Sequence, residues 1–243
     1  MRDSTLTRRR LLFAAGSGVL GVAVISSCSD APAPSPPTPP VSSSAPPVTT
    51  PTWQRVNLSF VSAYLLIRGG ETAVVDLGTD GSAAAIEAAL KGAGTGWGSV
   101  KHILLTHQHP DHAGGLASVI PQVNAAFYAG AADVAGITSA KPLQPVKDGD
   151  EVFGLQIIGT PGHTAGHISV FDPSTGTLVA GDALRTTSGL EGSDPQYTAD
   201  ETLAAASVRK LAALEVKAIL PGHGEPLTDG AADALRKLAA SLP

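Results

Sequence analysis

The segment THQHPDHAGG, residues 106–115, sets His107, His109, Asp111 and His112 within six positions of a chain that has seven histidines in all. Imidazole and carboxylate are good donors to zinc and related divalent ions, so this cluster points first to metal binding. His107 and His109 stand two apart, and a strand end projects such residues to one side. Pro110 bars the strand from continuing. Asp111 and His112 are neighbours and must point differently. The segment therefore suits a loop that leaves a strand and faces more than one centre. Gly114 and Gly115 let the backbone pass close to such a centre.

Three more candidate donors follow predicted strands. His163 lies in Thr160-Pro161-Gly162-His163, Asp182 in Ala180-Gly181-Asp182, and His223 in Pro221-Gly222-His223-Gly224. Each is directly preceded by glycine. Strand ends on one edge of a sheet converge, so one site can collect them all. His167 is expected to serve behind the ligands or in the core, and His102, inside a strand, to be structural. Asp76 either orients a ligand histidine, as outer-shell carboxylates do, or serves a turn.

The elements that must position these residues are legible in coarse form. Apolar runs predict strands over 60–67 and 72–76, with Gly69-Gly70 as the hairpin turn between them. Further strands are expected at 100–105, 125–128, 151–158, 167–171, 177–180 and 216–220. Helical spacing predicts helices over 82–91, 198–214 and 229–240. Strands in both halves, each set followed by helices, suggest sheets packed together and covered by helices.

Composition limits the partners. The formal net charge is −5, and the first 27 residues hold four Arg and one Asp, so the remainder carries −8. An acidic body is a poor match for nucleic acid, which is bound through many Lys and Arg contacts to phosphate. The single cysteine, Cys28, allows no internal disulfide and no thiolate cluster. Arg8, Arg9 and Arg10 precede an apolar run from Leu11 to Ile25, shorter than the roughly 20 residues a membrane span needs. Residues 1–27 therefore read as an export signal of twin-arginine type. Ile25-Ser26-Ser27-Cys28 resembles a bacterial lipobox, with Cys28 as the lipidated new N-terminus. Residues 28–52 continue as a Pro/Ser/Thr-rich tether that reaches on the order of 70 Å as polyproline II. Residues 53–243 read as one globular domain. The expected location is the extracytoplasmic face of a bacterial membrane, held there by the lipid on Cys28.

Taken together, the HxHxDH segment, Gly162-His163, Gly181-Asp182 and Gly222-His223 resemble, in kind and order, the motifs of the metallo-β-lactamase superfamily. The resemblance spans nearly the whole region after residue 52. It implies an α+β fold, a four-layer αββα sandwich. It implies two divalent ions, zinc first, with iron or manganese as alternatives. His107, His109 and His163 would hold one ion, Asp111, His112 and His223 the other, and Asp182 would bridge them. The implied nucleophile is a bridging hydroxide, with Asp111 as the catalytic group that orients it. Metal binding brings the pKa of water to about 7 and stabilises an oxyanion as it develops.

The branch of the superfamily is narrowed by particular positions. Lactamases with a cysteine ligand find no match, because Cys28 is the chain's one cysteine. Histidine-rich lactamases share HxHxDH but lack a bridging aspartate. Asp182 points instead towards glyoxalase II-like hydrolases and lactonases. Many lactonases place tyrosine three positions after that aspartate; Arg185 stands there and is expected to meet an anionic substrate group. A typical glyoxalase II follows its last ligand with a helical region for glutathione, whereas twenty residues follow His223. The expected activity is hydrolysis of an ester, thioester or lactone-type bond in a small molecule. The alternatives are an iron-dependent persulfide dioxygenase-like oxidoreductase, a β-lactamase and a non-catalytic metal-binding lipoprotein.

Overall fold

The structure, a computed structural model, describes residues 50–243. The export signal, Cys28 and the tether up to residue 49 lie outside the described residues. At Thr52 the first strand has already begun. The first sheet has six strands in the order β1 (Thr52–Leu58), β2 (Val61–Arg68), β3 (Glu71–Val75), β4 (Val100–Leu105), β5 (Ala126–Gly130) and β6 (Gln144–Val146). The pairs β1/β2 and β2/β3 are antiparallel and the rest parallel. The second sheet contains β7 (Glu151–Val152), β8 (Leu155–Gly159), β9 (Ile168–Asp172), β10 (Thr177–Gly181) and β13 (Ala218–Pro221), in the order β13-β10-β9-β8-β7. Here only β10/β13 is parallel. A small ribbon, β11 (Leu184–Arg185) with β12 (Glu191–Gly192), stands apart.

Four layers follow from the alternation of side chains. On β2, Ala63 and Leu65 join one core while Tyr64 and Leu66 join another; on β4, Ile103 and Leu105 separate from Leu104 in the same way. The first core packs the outer face of sheet one against helix α1 (Ala83–Gly92), through Ile86 and Leu90, and against the one-turn helix α3 (Leu116–Val119). The middle core joins the sheets, with Val75 and Leu104 facing Ile157, Val170 and Val179. The third places Phe171, Leu178 and Ile219 against α4 (Glu201–Leu211) and α5 (Ala231–Ser241). Central strands buried on both faces read as continuous apolar runs, which is why they are plain in the sequence. The α+β four-layer αββα sandwich stands. Among the described residues no helix is long and apolar enough to cross a membrane.

Three elements depart from expectation. β1, TWQRVNL, is an additional strand; it is half exposed at a sheet edge and carries a weak apolar signal. The strand expected over 151–158 is a hairpin, β7/β8, broken at Phe153 and Gly154 with φ of 56° and 73°. Two-residue hairpin loops of this kind usually announce themselves with Asn or Gly at both positions, and Phe153 hides the signal. Its position is set by distant partners: Arg68 Nη1 donates to its carbonyl at 2.7 Å. The helix expected over 198–214 starts later, because the Asp200 side chain caps it by accepting from Leu203 N at 2.9 Å.

Candidate metal centre

Strand direction brings the candidate donors together. β3 and β4 run parallel, so Asp76 and residues 106–112 emerge at one edge of sheet one. β8, β10 and β13 share a direction, so His163, Asp182 and His223 emerge at one edge of sheet two. The two edges are stitched by backbone hydrogen bonds, Ile168 N to Thr106 O and Ser62 N to Gly222 O, both 2.9 Å. The donors thus come from two sheets and not from one.

Local structure aims each side chain. His109 is extended, with φ −66° and ψ 147°, and serves as N-cap of the one-turn helix α2 (Pro110–Ala113). Pro110 at the first helical position loses no hydrogen bond there. The change from extended chain to helix within this segment lets His107 and His109 face one way and Asp111 and His112 another. The His163 loop is held by α4, whose approach donates Ala199 N to His163 O at 3.2 Å and Asp200 N to Gly162 O at 2.9 Å. Gly162 has φ 136°, and a Cβ there would lie 2.2 Å from Ala204 N. Gly222 leaves room for the centre itself, since a Cβ would sit 2.2 Å from Asp182 Oδ1 and 2.7 Å from His112 Cε1.

All seven candidate donors converge. The donor atoms of His107, His109 and His163 lie within 4.8 Å of one another, as do those of His107, His112 and Asp182, and those of Asp111, His112 and His223. His163 Nε2 is 3.0 Å from His109 Nδ1. Asp182 stands between the halves: Oδ1 is 3.1 Å from His112 Nε2, and Oδ2 is 3.5 Å from His163 Nε2 and 3.2 Å from His223 Nε2. His223 Nε2 is also 3.3 Å from Asp111 Oδ2.

The outer nitrogens are engaged. His112 Nδ1 is 2.8 Å from Asp76 Oδ2, His107 Nδ1 3.0 Å from Thr106 Oγ1, and His163 Nδ1 2.9 Å from Ser193 Oγ. His223 Nδ1 donates to the Phe60 carbonyl at 2.8 Å. In each case Nε2 is left to face the centre, the arrangement by which outer partners orient metal-binding imidazoles. His107 Nε2 and Asp182 Oδ1 are buried and make no aligned hydrogen bond. An orphaned buried acceptor costs about 1–3 kcal/mol, and a bound cation would satisfy both. The donor set fits divalent transition metals.

Electrostatics separate the donors into two groups. Burial, reinforced by the neighbouring His112, holds His107 well below the ordinary imidazole value. Burial likewise takes His163 down to about 4. The hydrogen bonds to Asp111 and Asp182 lift His223 to about 10. Burial opposes a charge on His112, but Asp182 and Asp76 outweigh it and raise this group well above its usual value. Burial would raise Asp182, but the charge of His112 and the close contact with His223 keep it well below the carboxylate range. A metal entering the second group must displace protons.

Other residues take supporting places. Asp76, in the left-handed region at φ 62°, binds both Thr106 N and Thr106 Oγ1 besides His112, so it orients a ligand candidate. His167 is buried behind Asp182, accepting Asp182 N at 3.0 Å with Thr160 Oγ1 2.8 Å from its Nδ1. Burial takes His167 down to about 3, a neutral group outside the cluster. His102 stacks on Phe153 at 4.9 Å, a packing role. Asp133, which no local pattern singles out, ties the two histidine loops together. It accepts from Gln108 N at 3.0 Å, Gly166 N at 2.7 Å and Thr164 Oγ1 at 2.6 Å. Its partners stand 25–33 residues away, so nothing near it in sequence marks it.

Arg185 stands beside the site with its guanidinium engaged: Nη1 pairs with Asp194, and Nε lies 3.0 Å from Glu191 without hydrogen-bond alignment. Two carboxylates already neutralise it, because the β11/β12 ribbon sets Arg185 opposite Glu191.

A cavity of about 590 Å³ opens over the centre. Phe60, Thr79, Pro110 and Tyr197 line it together with five of the seven candidate ligands.

Comparison with known proteins agrees with this geometry. Residues 56–223 match the Metallo-beta-lactamase superfamily. The chain is 30% identical over 175 residues to a probable metallo-hydrolase, YflN, of Bacillus subtilis, a match that covers 53% of this chain and 66% of that protein. It is 34% identical over 140 residues to a hydroxyacylglutathione hydrolase of Dechloromonas aromatica, covering 53% of this chain and 48% of the relative. The chain thus spans between 48% and 66% of the length of these two relatives. A metallo-beta-lactamase family protein from Thermus thermophilus superposes with a TM-score of 0.63 at 26% identity, over 77% of this chain and 78% of that one. With the domain, its cores and its clustered donors in agreement, the chain belongs to the metallo-beta-lactamase superfamily.

Proposed function

We propose that this protein is a dinuclear metal-dependent hydrolase of ester, thioester or lactone-type bonds in a small molecule. The observation that carries it is the set of seven converging donors, four of them histidines whose outer nitrogens are already engaged. His107, His109 and His163 would hold one ion, Asp111, His112 and His223 the second, with Asp182 shared. Paired divalent ions, zinc first, supply a water of low pKa and an electrophile for the oxygen that gains charge.

The chain's own groups favour good leaving groups. Asp111 faces the cavity. Burial would raise its pKa, but the His223 hydrogen bond prevails and keeps it below the ordinary value. At neutral pH it accepts a proton or orients a water and has none to donate. Asp182 is ionised for the same kind of reason. Among the described residues no other carboxylic acid lines the cavity. An amine leaves only with a proton, whereas thiolates and stabilised alkoxides leave without strong acid help, so amides are disfavoured.

The relatedness to a hydroxyacylglutathione hydrolase supports a thioester or ester hydrolase within the family. The N-terminal signal, outside the described residues, adds export as a lipoprotein anchored through Cys28. Replacing Arg8 and Arg9 with Lys should abolish surface delivery; delivery that persists refutes the route.

Elemental analysis followed by ester, thioester, lactone and β-lactam assays tests the activity. Two ions per chain and chelator-sensitive cleavage of one of the first three classes are expected. One iron per chain with oxygen consumed in the presence of a persulfide would overturn it.

A further inference from the structure

Among the described residues three large hydrophobic side chains are exposed: Phe60 at 61%, Tyr197 at 60% and Leu203 at 46%. Single exposed apolar residues are ordinary, but two of these three line one cavity, and that cavity lies over the metal centre. They come from separate elements, the β1–β2 turn and the segment after β12.

Both are held in place. Phe60 follows Ser59, which sits in the left-handed region at φ 78° with its N–H donated to Asn57 Oδ1 at 3.0 Å. Such a conformation in a residue with a Cβ persists only where surrounding structure enforces it. The Phe60 carbonyl accepts from His223, and its ring stacks on the His223 ring at 6.1 Å with 13° between the planes. Tyr197 ends a single turn, Pro195–Tyr197, that Asp194 caps. Asp194 is in turn anchored by Arg185. Arg185 therefore positions the Tyr197 wall.

The cations near the mouth are matched. Among the described residues no Lys or Arg lines the main cavity. Arg185, which reaches an adjoining recess, faces Asp194 and Glu191. Arg55, beside the His223 loop, pairs with Glu225 and donates to the Gly224 carbonyl at 2.9 Å. A carboxylate on the distal part of a substrate would meet aromatic surface and no unpaired cation.

Resting on the hydrolase reading, we infer that the site selects an uncharged substrate whose acyl or leaving group is apolar and lies against Phe60 and Tyr197. A carboxylate remote from the scissile bond counts against a substrate.

Matched probes test this with the full-length, metal-loaded chain. Calorimetric titration with 1-hexanethiol and 6-mercaptohexanoate reads binding without turnover. Kinetics on phenyl hexanoate and monophenyl adipate read the same contrast in turnover. The uncharged member should be favoured by about tenfold or more in both, the scale set by a few buried methylenes. In the double variant Phe60→Ala, Tyr197→Ala the ratio should fall below threefold. Tyr197→Lys, an exposed change that the fold tolerates, should reverse the preference. Equal or opposite preference in the parent chain overturns the inference, as does a preference that survives the double variant or Tyr197→Lys. A thiol preference without turnover of any ester would sink the hydrolase assignment and leave the selectivity standing. Turnover of both esters at equal rates would do the reverse.

Discussion

In one half of the centre, His107 and His163 lean on hydroxyls, Thr106 Oγ1 and Ser193 Oγ. In the other, His112 leans on the Asp76 carboxylate and His223 on the Phe60 carbonyl, with Asp111 and Asp182 close by. Burial with neutral partners leaves the first pair deprotonated, whereas carboxylates load the second pair with protons. The same side chain is thus prepared for a cation in two ways: by an open lone pair, or by a proton that a metal must replace. Two ions held by these halves should differ in affinity and in response to pH, although Asp182 belongs to both.

Removing the shared group should erase the difference. Asp182→Ala is expected to lower metal content below one ion per chain after dialysis, measured by elemental analysis. Retention of two ions would show that the halves do not depend on the bridge. Asp76→Ala acts directly on His112 and reaches His107 only through Thr106. It should weaken the second ion by about 10–100-fold, the usual cost of losing an outer partner, and the first ion by less. Competition with a chelator reads this, and an equal loss at both sites would break the distinction.

The pH response comes next in size. His223, raised to about 10, holds its proton throughout pH 6–8, and His112 is raised as well. Affinity for the second ion should therefore climb with pH, by about tenfold per unit for each proton displaced. His163, lowered to about 4, is already neutral there, so the first ion's affinity should stay nearly level. Parallel slopes for the two ions would contradict the comparison. The smallest effect is expected from Ser193→Ala, which removes a hydroxyl partner from His163. It should cost the first ion less than the 10–100-fold of a full outer-partner loss and leave the second unchanged.

The histidine cluster was plain in the sequence because its spacing is local: four candidate donors occupy six positions. The glycines before His163 and His223 were equally visible, and the structure supplies the reason, since a side chain at Gly162 or Gly222 would strike α4 or the centre. Central strands were legible through their buried apolar runs. Edge strand β1 and the β7/β8 turn were not, because exposure blurs the first and Phe153 occupies a turn position through contacts with Arg68. Arg185 invited a substrate role by its position after Asp182. Its partners, Glu191 across the ribbon and Asp194 nine residues on, become visible only in the fold.

The sequence by itself determined the donor types, their order along the chain and the fold that carries them, because ligand chemistry and strand burial leave local marks. Tertiary structure alone decided which nitrogen of each histidine faces inward, which of them carry protons, and which residues wall the cavity. Those properties depend on partners such as Asp76, Ser193 and the Phe60 carbonyl, which lie 30 to 163 residues from the histidines they serve and acquire their meaning only when the two sheet edges meet.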